Sequence, residues 1–306
     1  MDRISIARIT LLVVALMFLA QNSRAAGNCI EINAIPTVIA QPGHYCLAGD
    51  FDYPATSGNA ITIDADHVTL DFDSHRVNGF GGGMGTTAIG VFAAGRRNIT
   101  ITNGTLTGFR IGIKIDLQSP STSSAGARML IASRTRLGPS RTLVVNAPQM
   151  EAHKIEGMTL LQSRFSGIYA VGDATSILGN RIIETGSGSN EHNAIAIYLA
   201  GQGARIRDND IHLVTVDGET SNYEHGSRIG ILCNDCDAGI VEQNRISETG
   251  RAIYIWESQY AHVVDNHVIR SDRTKYDGIS AFNPDVLCIG NLEAGYDPTH
   301  CDEDLE

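Results

Sequence analysis

A short apolar pattern, [Ile/Leu]-x-[Ile/Val/Ala], recurs along most of the chain and constrains its fold more than any other feature. It begins at nine positions, which are Ile61, Ile89, Ile111, Leu143, Ile168, Ile195, Ile229, Ile253 and Ile279. Neighbouring positions are separated by 22 to 34 residues. A period in this range is typical of solenoids, in which each repeat buries its apolar face against the adjacent repeats. We therefore predict a stack of about nine rungs, each with one parallel strand at this position.

A second pattern, apolar-x-x-Asn-x-apolar, follows most of these strands. Its asparagines are Asn103, Asn180, Asn209, Asn244, Asn266 and Asn291. Asparagine tolerates the left-handed backbone angles of a tight corner, and stacked amides can hydrogen-bond from one rung to the next. We therefore predict a structural ladder at these positions and no functional site. Ladder membership would also make the sequons at Asn98 and Asn103 poor glycan acceptors, at least at Asn103.

These two columns resemble the repeats of the right-handed parallel β-helix superfamily, which includes pectate lyases, polygalacturonases and alginate epimerases. The resemblance covers residues 60–292 and implies an all-β, right-handed parallel β-helix solenoid with a cap at each end. We expect the N-terminal cap at 26–59, an irregular loop at 116–142 and a C-terminal tail at 293–306. Such repeats build a scaffold, so the resemblance does not specify an activity.

Residues 1–25 have the features of a secretory signal peptide. Arg3 and Arg8 precede a short apolar run, and Ser23 and Ala25 are the small residues of a cleavage site. Cleavage near Ala25 removes three arginines and one aspartate, which changes the formal net charge of −11 to about −13. We therefore expect a secreted or periplasmic monomer without a membrane span. The acidic charge argues against nucleic acid as a partner.

Six cysteines in an exported chain indicate disulfides. Proximity in the sequence favours Cys29–Cys46, Cys233–Cys236 and Cys288–Cys301, which is one of fifteen ways to pair six cysteines. The first and third bridges would clamp the two ends of the solenoid. Cys233 and Cys236 also have the spacing of a redox or metal motif, although a small loop bridge is the simpler interpretation.

Strand alternation on the anchor pattern predicts which side chains face solvent. Small residues are expected among them, at Gly90, Gly112, Ala196 and Gly230. The same stripe contains six of the 18 aromatic residues, namely Phe92, Tyr169, Tyr198, Tyr254, Trp256 and Phe282, in a chain that is only 6% aromatic. Flat aromatic rings suit the apolar faces of sugars, so the stripe predicts a binding track for a polysaccharide or glycan, unless a loop covers it.

Polar residues in the turns beside this stripe suggest a uronate lyase. Such an enzyme removes the C5 proton with a base, protonates the leaving oxygen and neutralises the sugar carboxylate. His225 or His192 is the candidate base, and Tyr276 or Tyr254 the candidate acid. The arginines Arg228 and Arg251 are candidates to hold the carboxylate, and Glu257 to contact the substrate.

Three other functions remain open. A glycoside hydrolase would need a pair of carboxylates, for which Glu191, Glu224, Glu257 and Asp277 are available. The adjacent Asp pair of polygalacturonases is missing, which argues against that mechanism. A non-catalytic module that binds a glycan or cell surface would need the aromatic stripe alone, and a purely structural solenoid would cover it. We predict no cofactor and no metal site, because carboxylates do not converge on the outward strand positions.

Overall fold

The structure is a computed structural model that describes residues 29–116, 152–186, 194–215, 228–271, 278–281, 283 and 285–296. In these ranges the chain is all-β, with 26 strands and one short 3-10 turn at Phe80–Gly82. Every strand pairing is parallel, and the long sheets curl partly round an axis, as in a solenoid or β-helix. No helix in the described ranges is long and apolar enough to span a membrane.

Nine of the strands form one sheet, which we call the anchor sheet. With strands numbered in chain order, its members are β2 (Thr37–Ile39), β5 (Asn59–Ile63), β8 (Ile89–Ala94), β10 (Ile111–Asp116), β12 (Ser166–Val171), β15 (Ala194–Ala200), β18 (Arg228–Asn234), β21 (Arg251–Trp256) and β24 (Ile279–Ala281). Each strand pairs with the preceding and following members of this series, so the sheet is a continuous ladder along the chain.

The other 17 strands form a second, larger sheet with two columns. The first column contains β1 (Ile30–Ile32), β3 (Gly43–Leu47), β6 (Val68–Asp71), β9 (Thr100–Thr107), β11 (Lys154–Leu161), β13 (Ser176–Leu178), β16 (Arg205–Arg207), β19 (Ile240–Glu242), β22 (His262–Val264) and β25 (Leu287–Ile289). The second column contains β4 (Phe51–Asp52), β7 (Arg76–Asn78), β14 (Arg181–Thr185), β17 (Asp210–Val214), β20 (Arg245–Ser247), β23 (His267–Ile269) and β26 (Leu292–Ala294). The long strands β9 and β11 pair in both columns and join them.

The anchor strand predicted at Leu143 has no place between its expected neighbours. β10 pairs directly with β12, with Ile113 opposite Ile168. Leu143 itself lies outside the described residues, and so does 117–142 of the predicted loop. The ninth strand of the sheet is instead β2, which lies within the segment expected to form the N-terminal cap. A three-residue apolar pattern recurs by chance in any apolar segment, which explains the wrong assignment at Leu143.

The register of the anchor sheet also differs from the prediction in four rungs. The inward column contains Ile61, Val91, Ile113, Ile168, Ile197, Ile231, Ile253 and Ile279, all of them buried. Four predicted anchors lie two residues earlier and outside the contiguous core, namely Ile89, Ile111, Ile195 and Ile229. These rungs repeat Ile at alternate positions, so the pattern matches at more than one register.

The small residues of the anchor strands face the core and not the solvent. They form a buried column of Gly90, Gly112, Gly167, Ala196, Gly230 and Ala252. A Cβ added at Gly167 would lie 2.8 Å from Ile182 Cγ2, and one at Gly230 would lie 2.8 Å from Ile246 Cγ2. The prediction that Gly90, Gly112, Ala196 and Gly230 point outward is therefore wrong. Larger side chains would collide with apolar residues of the larger sheet, which are Leu106 at Gly90, Leu160 at Gly112, Ile182 at Gly167 and Ile246 at Gly230.

The asparagine ladder is confirmed at five positions. Asn180 Nδ2 donates to Asn209 Oδ1 at 3.0 Å, and Asn209 Nδ2 donates to Asn244 Oδ1 at 2.9 Å. The chain of bonds continues through Asn266 to Asn291 at 3.0 Å per step. The first four side chains are 1% exposed, so the ladder satisfies polar groups inside the corner and offers nothing to a ligand.

In this corner, the residue with left-handed backbone angles is the one directly before the asparagine. The positive φ angles fall on Gly179, Asp208, Gln243, Asp265 and Gly290. Asn103 has φ 60° itself and is exposed, and the ladder position is taken by Gly104, against which Phe72 packs. Asn103 is therefore not a ladder member, which removes the reason for discounting its sequon.

Two of the predicted disulfides are confirmed. Cys29 is bonded to Cys46, and Cys233 to Cys236. Cys288 is also disulfide-bonded, and Cys301 lies outside the described residues. Cys233 and Cys236 are 1% and 0% exposed, so their bridge belongs to the core and is not placed to exchange with an external thiol.

Candidate functional site

The outer face of the anchor sheet carries two outward columns. The first outward column contains Thr62, Phe92, Lys114, Tyr169, Tyr198, Leu232, Tyr254 and Ser280 in register. The second outward column lies two residues further along each strand and contains Asp64, Ala94, Asp116, Val171, Ala200, Asn234 and Trp256. The predicted aromatic stripe is thus divided between the two columns, and Phe282 lies outside the described residues.

Tyr169 and Tyr198 form a stack along the solenoid. Their ring centroids are 4.5 Å apart and their planes differ by 6°. On the preceding rung, Lys114 Nζ lies 5.6 Å from the Tyr169 ring and 5.8 Å from the Phe92 ring. Tyr169 is therefore held between a cation and a second ring, and its faces are already occupied. The expectation of flat rings turned to solvent does not hold for this residue, which offers its edge.

Trp256 is the most exposed aromatic side chain of the two outward columns. Its ring is 40% exposed and tilted by 57° against that of Tyr254, with centroids 5.5 Å apart. The Arg251 guanidinium lies 4.4 Å from the centroid of Tyr254 and covers part of that ring. Trp256 therefore supplies the open apolar surface of this face.

Carboxylates dominate the edge of the face where the anchor strands end. Asp116 pairs with Lys114 at 3.0 Å, and Asp64 pairs with Arg96. Asp235 accepts a hydrogen bond from Asn234 Nδ2 at 3.0 Å. On the last rung that carries an aromatic pair, Glu257 follows Trp256 and is exposed. A ligand on this face would contact tyrosine hydroxyl groups on one side and carboxylates on the other.

The tyrosines of the first outward column are held in their protonated form. Burial raises the pKa of Tyr169, and the charges of Tyr198 and Asp116 add to it. Burial also raises the pKa of Tyr198, with Asp235 contributing. For Tyr254, burial raises the pKa although Arg251 opposes it. All three phenols can therefore donate hydrogen bonds at neutral pH.

Only some of the predicted catalytic residues lie within the described ranges. Arg228 and Arg251 begin neighbouring strands at the same edge of the anchor sheet, where Arg228 Cβ lies 3.0 Å from the Cβ position of Gly250. His192, His225 and Tyr276 lie outside the described residues.

Two features of the site escaped sequence reasoning. Arg110 lies over the ring of Phe165 at 5.0 Å, at the same edge as Arg228 and Arg251. The turn residue Asp235 was also not anticipated as a neighbour of Tyr198. The available sequence signal for Arg110 was the recurrence of arginine at this edge, because Arg110 directly precedes β10 whereas Arg228 and Arg251 begin β18 and β21.

No group of three or more His, Cys, Asp or Glu side chains within the described ranges is arranged to hold a metal ion. We therefore assign no ligand set to a cation. Comparison of the chain with known protein families, curated proteins and solved structures gave no match.

Proposed function

We propose that the chain is an exported right-handed parallel β-helix of about nine rungs, related in architecture to pectate lyases, that binds a polysaccharide along the outer face of its anchor sheet. The observation that carries the proposal is the alignment of Tyr169, Tyr198 and Tyr254 with Trp256 on adjacent outward columns. Disulfides and the lack of a membrane-spanning helix in the described ranges are compatible with an extracellular location.

A linear polymer suits this face because its contacts repeat at a constant spacing. Parallel strands place equivalent side chains ~4.8 Å apart, so the last five rungs extend over roughly 20 Å. Along that length the phenol edges of Tyr169 and Tyr198 can hydrogen-bond sugar hydroxyls, and the open ring of Trp256 can contact an apolar sugar face. A small ligand would use only one of these elements.

Packing alone gives a weaker account of the same residues. A stacked tyrosine pair can stabilise adjacent strands by about 0.5–1.5 kcal/mol, so Tyr169 and Tyr198 have a structural role. Trp256 contacts the ring of Tyr254 but is 40% exposed, so packing does not account for the part of its surface that faces solvent. The proposal therefore depends most on Trp256.

The test is affinity electrophoresis of the purified chain through gels that contain soluble polysaccharides. We expect at least one polysaccharide to retard the chain, and Trp256→Ala to weaken this retardation by about tenfold. Tyr198→Phe, which removes only the hydroxyl, should weaken it less.

Tyr260→Ala is the matched control, because Tyr260 is a 63% exposed aromatic outside both outward columns. Equal losses in Trp256→Ala and Tyr260→Ala would refute the assignment of the binding face. Catalysis is not part of this proposal, since both candidate bases, His192 and His225, lie outside the described residues.

A further inference from the structure

We infer that the polysaccharide recognised by this face is a neutral one and not a polyuronate. The inference rests on the proposed function and specifies the chemical class of its ligand. It departs from the expectation of a uronate substrate that the sequence suggested. The charges of the two outward columns and their pairing within the protein determine which class of polymer fits.

A polyuronate carries a carboxylate on every sugar, so a track that binds it needs cations at repeated steps. Lys114 is the only cationic side chain at the described positions of the two columns. Its ammonium group is 3.0 Å from Asp116 and also contacts the rings of Phe92 and Tyr169. The charge that would attract a uronate is therefore neutralised within the protein.

The carboxylates beside the stacked tyrosines would repel a polyuronate. Asp235, which accepts a hydrogen bond from Asn234, acts electrostatically on Tyr198 and places negative charge near the centre of the track. Glu257 adds an exposed carboxylate next to Trp256. For a neutral sugar the same groups are favourable, because carboxylates accept charge-assisted hydrogen bonds from hydroxyls and the phenols donate in return.

The arginines at the opposite edge do not reverse this balance. Arg228 and Arg251 serve adjacent rungs only, because Arg228 begins β18 and Arg251, which lies against the ring of Tyr254, begins β21. The third arginine described at this edge, Arg110, precedes β10 and so lies outside the last five rungs. Arg228 and Arg251 could hold one or two carboxylates of a chain that spans those five rungs. They do not provide a cation for each sugar unit.

The experiment compares polymers that share a backbone and differ in charge. The purified chain is titrated at low ionic strength with polygalacturonate and with its fully methyl-esterified form, and separately with xyloglucan, galactomannan and dextran. We expect a neutral polymer to bind at least about tenfold more tightly than any polyuronate. Its affinity should change little with added salt, because no ion pair forms.

Two variants and a control complete the design. Asp116→Asn releases the charge of Lys114, and Asp235→Asn removes a repulsive charge, so each should raise the affinity for polygalacturonate several-fold. Asp210→Asn makes the same charge change on the larger sheet and should leave the affinity for polygalacturonate unchanged. A shared unfolding midpoint establishes that the variants are folded.

The outcomes separate the two proposals. Tighter binding of polygalacturonate than of every neutral polymer overturns the inference and leaves polysaccharide binding in place. Unchanged polygalacturonate affinity in both Asp116→Asn and Asp235→Asn also overturns it. Absence of binding to the whole panel removes the proposed function, and the inference with it.

Discussion

His153 is a buried histidine directly before β11, and it should make the fold sensitive to mild acid. It lies between Ile99 and Thr175 of the adjacent rungs and is 1% exposed. Neither ring nitrogen has a hydrogen-bond partner among the described residues. Burial lowers its pKa from 6.5 to about 4, although the negative charge of Asp66 opposes the shift.

The sign of the effect follows from which state takes up the proton. Below pH 6.5 the unfolded chain binds a proton at His153, whereas the folded chain stays neutral there until about pH 4. The stability that depends on neutral His153 is therefore fully present above pH 6.5 and is lost as the pH falls from 6.5 towards 4. The difference between the two pKa values lowers the free energy of unfolding by about 2 kcal/mol at pH 5 and by about 3 kcal/mol at pH 4.

His153→Leu removes the titrating group and keeps a side chain of similar size. It also removes the buried nitrogens that lack partners, so the variant should be more stable than wild type by about 1–2 kcal/mol even at neutral pH. That advantage should grow by about 2 kcal/mol between neutral pH and pH 5. The aspartates and glutamates titrate in both proteins, so the difference between them isolates His153.

Guanidinium unfolding followed by the fluorescence of Trp256, the single tryptophan, measures both proteins at about pH 7.5, 6 and 5. His262→Leu makes the same change at an exposed histidine of β22 and should keep the pH dependence of wild type. An advantage of His153→Leu that is the same at all three pH values would refute the reasoning.

Three further predictions concern the interior of the solenoid. Asn209→Ala should lower the free energy of unfolding by about 2–4 kcal/mol in denaturant titrations, because it removes bonds to Asn244 and Ile177 and the acceptor of the Asn180 backbone N–H. Asn291→Ala, at the half-buried end of the ladder, should lower it less. Gly167→Ala should cost about 1–3 kcal/mol by the same measurement, whereas Gly49→Ala, with open space around its Cβ, should be nearly neutral. Under native reduction and alkylation, mass spectrometry should find the half-buried Cys29 modified before the buried Cys233 and Cys236, and the reverse order would contradict the core location of that bridge.

The sequence predicts the parallel strands and the asparagine ladder because both follow from packing that repeats. An inward isoleucine recurs in most rungs and a ladder asparagine in five consecutive ones, and each recurrence reinforces the period. The register of a strand, that is, which of its residues face the core, is harder to predict. Ile195 and Ile197 are equally apolar, and only the pairing with the neighbouring strand determines which one faces the core. The column of small residues could have resolved it, since Gly230 and Ala252 are expected where another sheet packs closely.

The candidate site is less predictable because its contacts depend on side-chain orientation. Alternation identifies Tyr169 and Tyr198 as outward residues, but it cannot show that they stack on each other or that Lys114 covers the next ring face. His153 gives no sequence signal at all, since it is one of ten histidines and precedes a strand like several others. The lack of hydrogen-bond partners for its ring nitrogens can be recognised only from the positions of the adjacent rungs.

The interior and the outer face of the anchor sheet are under different constraints, and this difference is the reason for proposing that a ligand binds the outer face. Inside, the column around Gly167 tolerates only small side chains, because Ile182 fills the remaining space. Outside, a parallel sheet of this kind needs no aromatic residue, and an exposed ring such as Trp256 exposes apolar surface without stabilising the core. Because the chain nevertheless places its single tryptophan there, beside tyrosines with pKa values raised by burial, a ligand for that surface explains what packing does not.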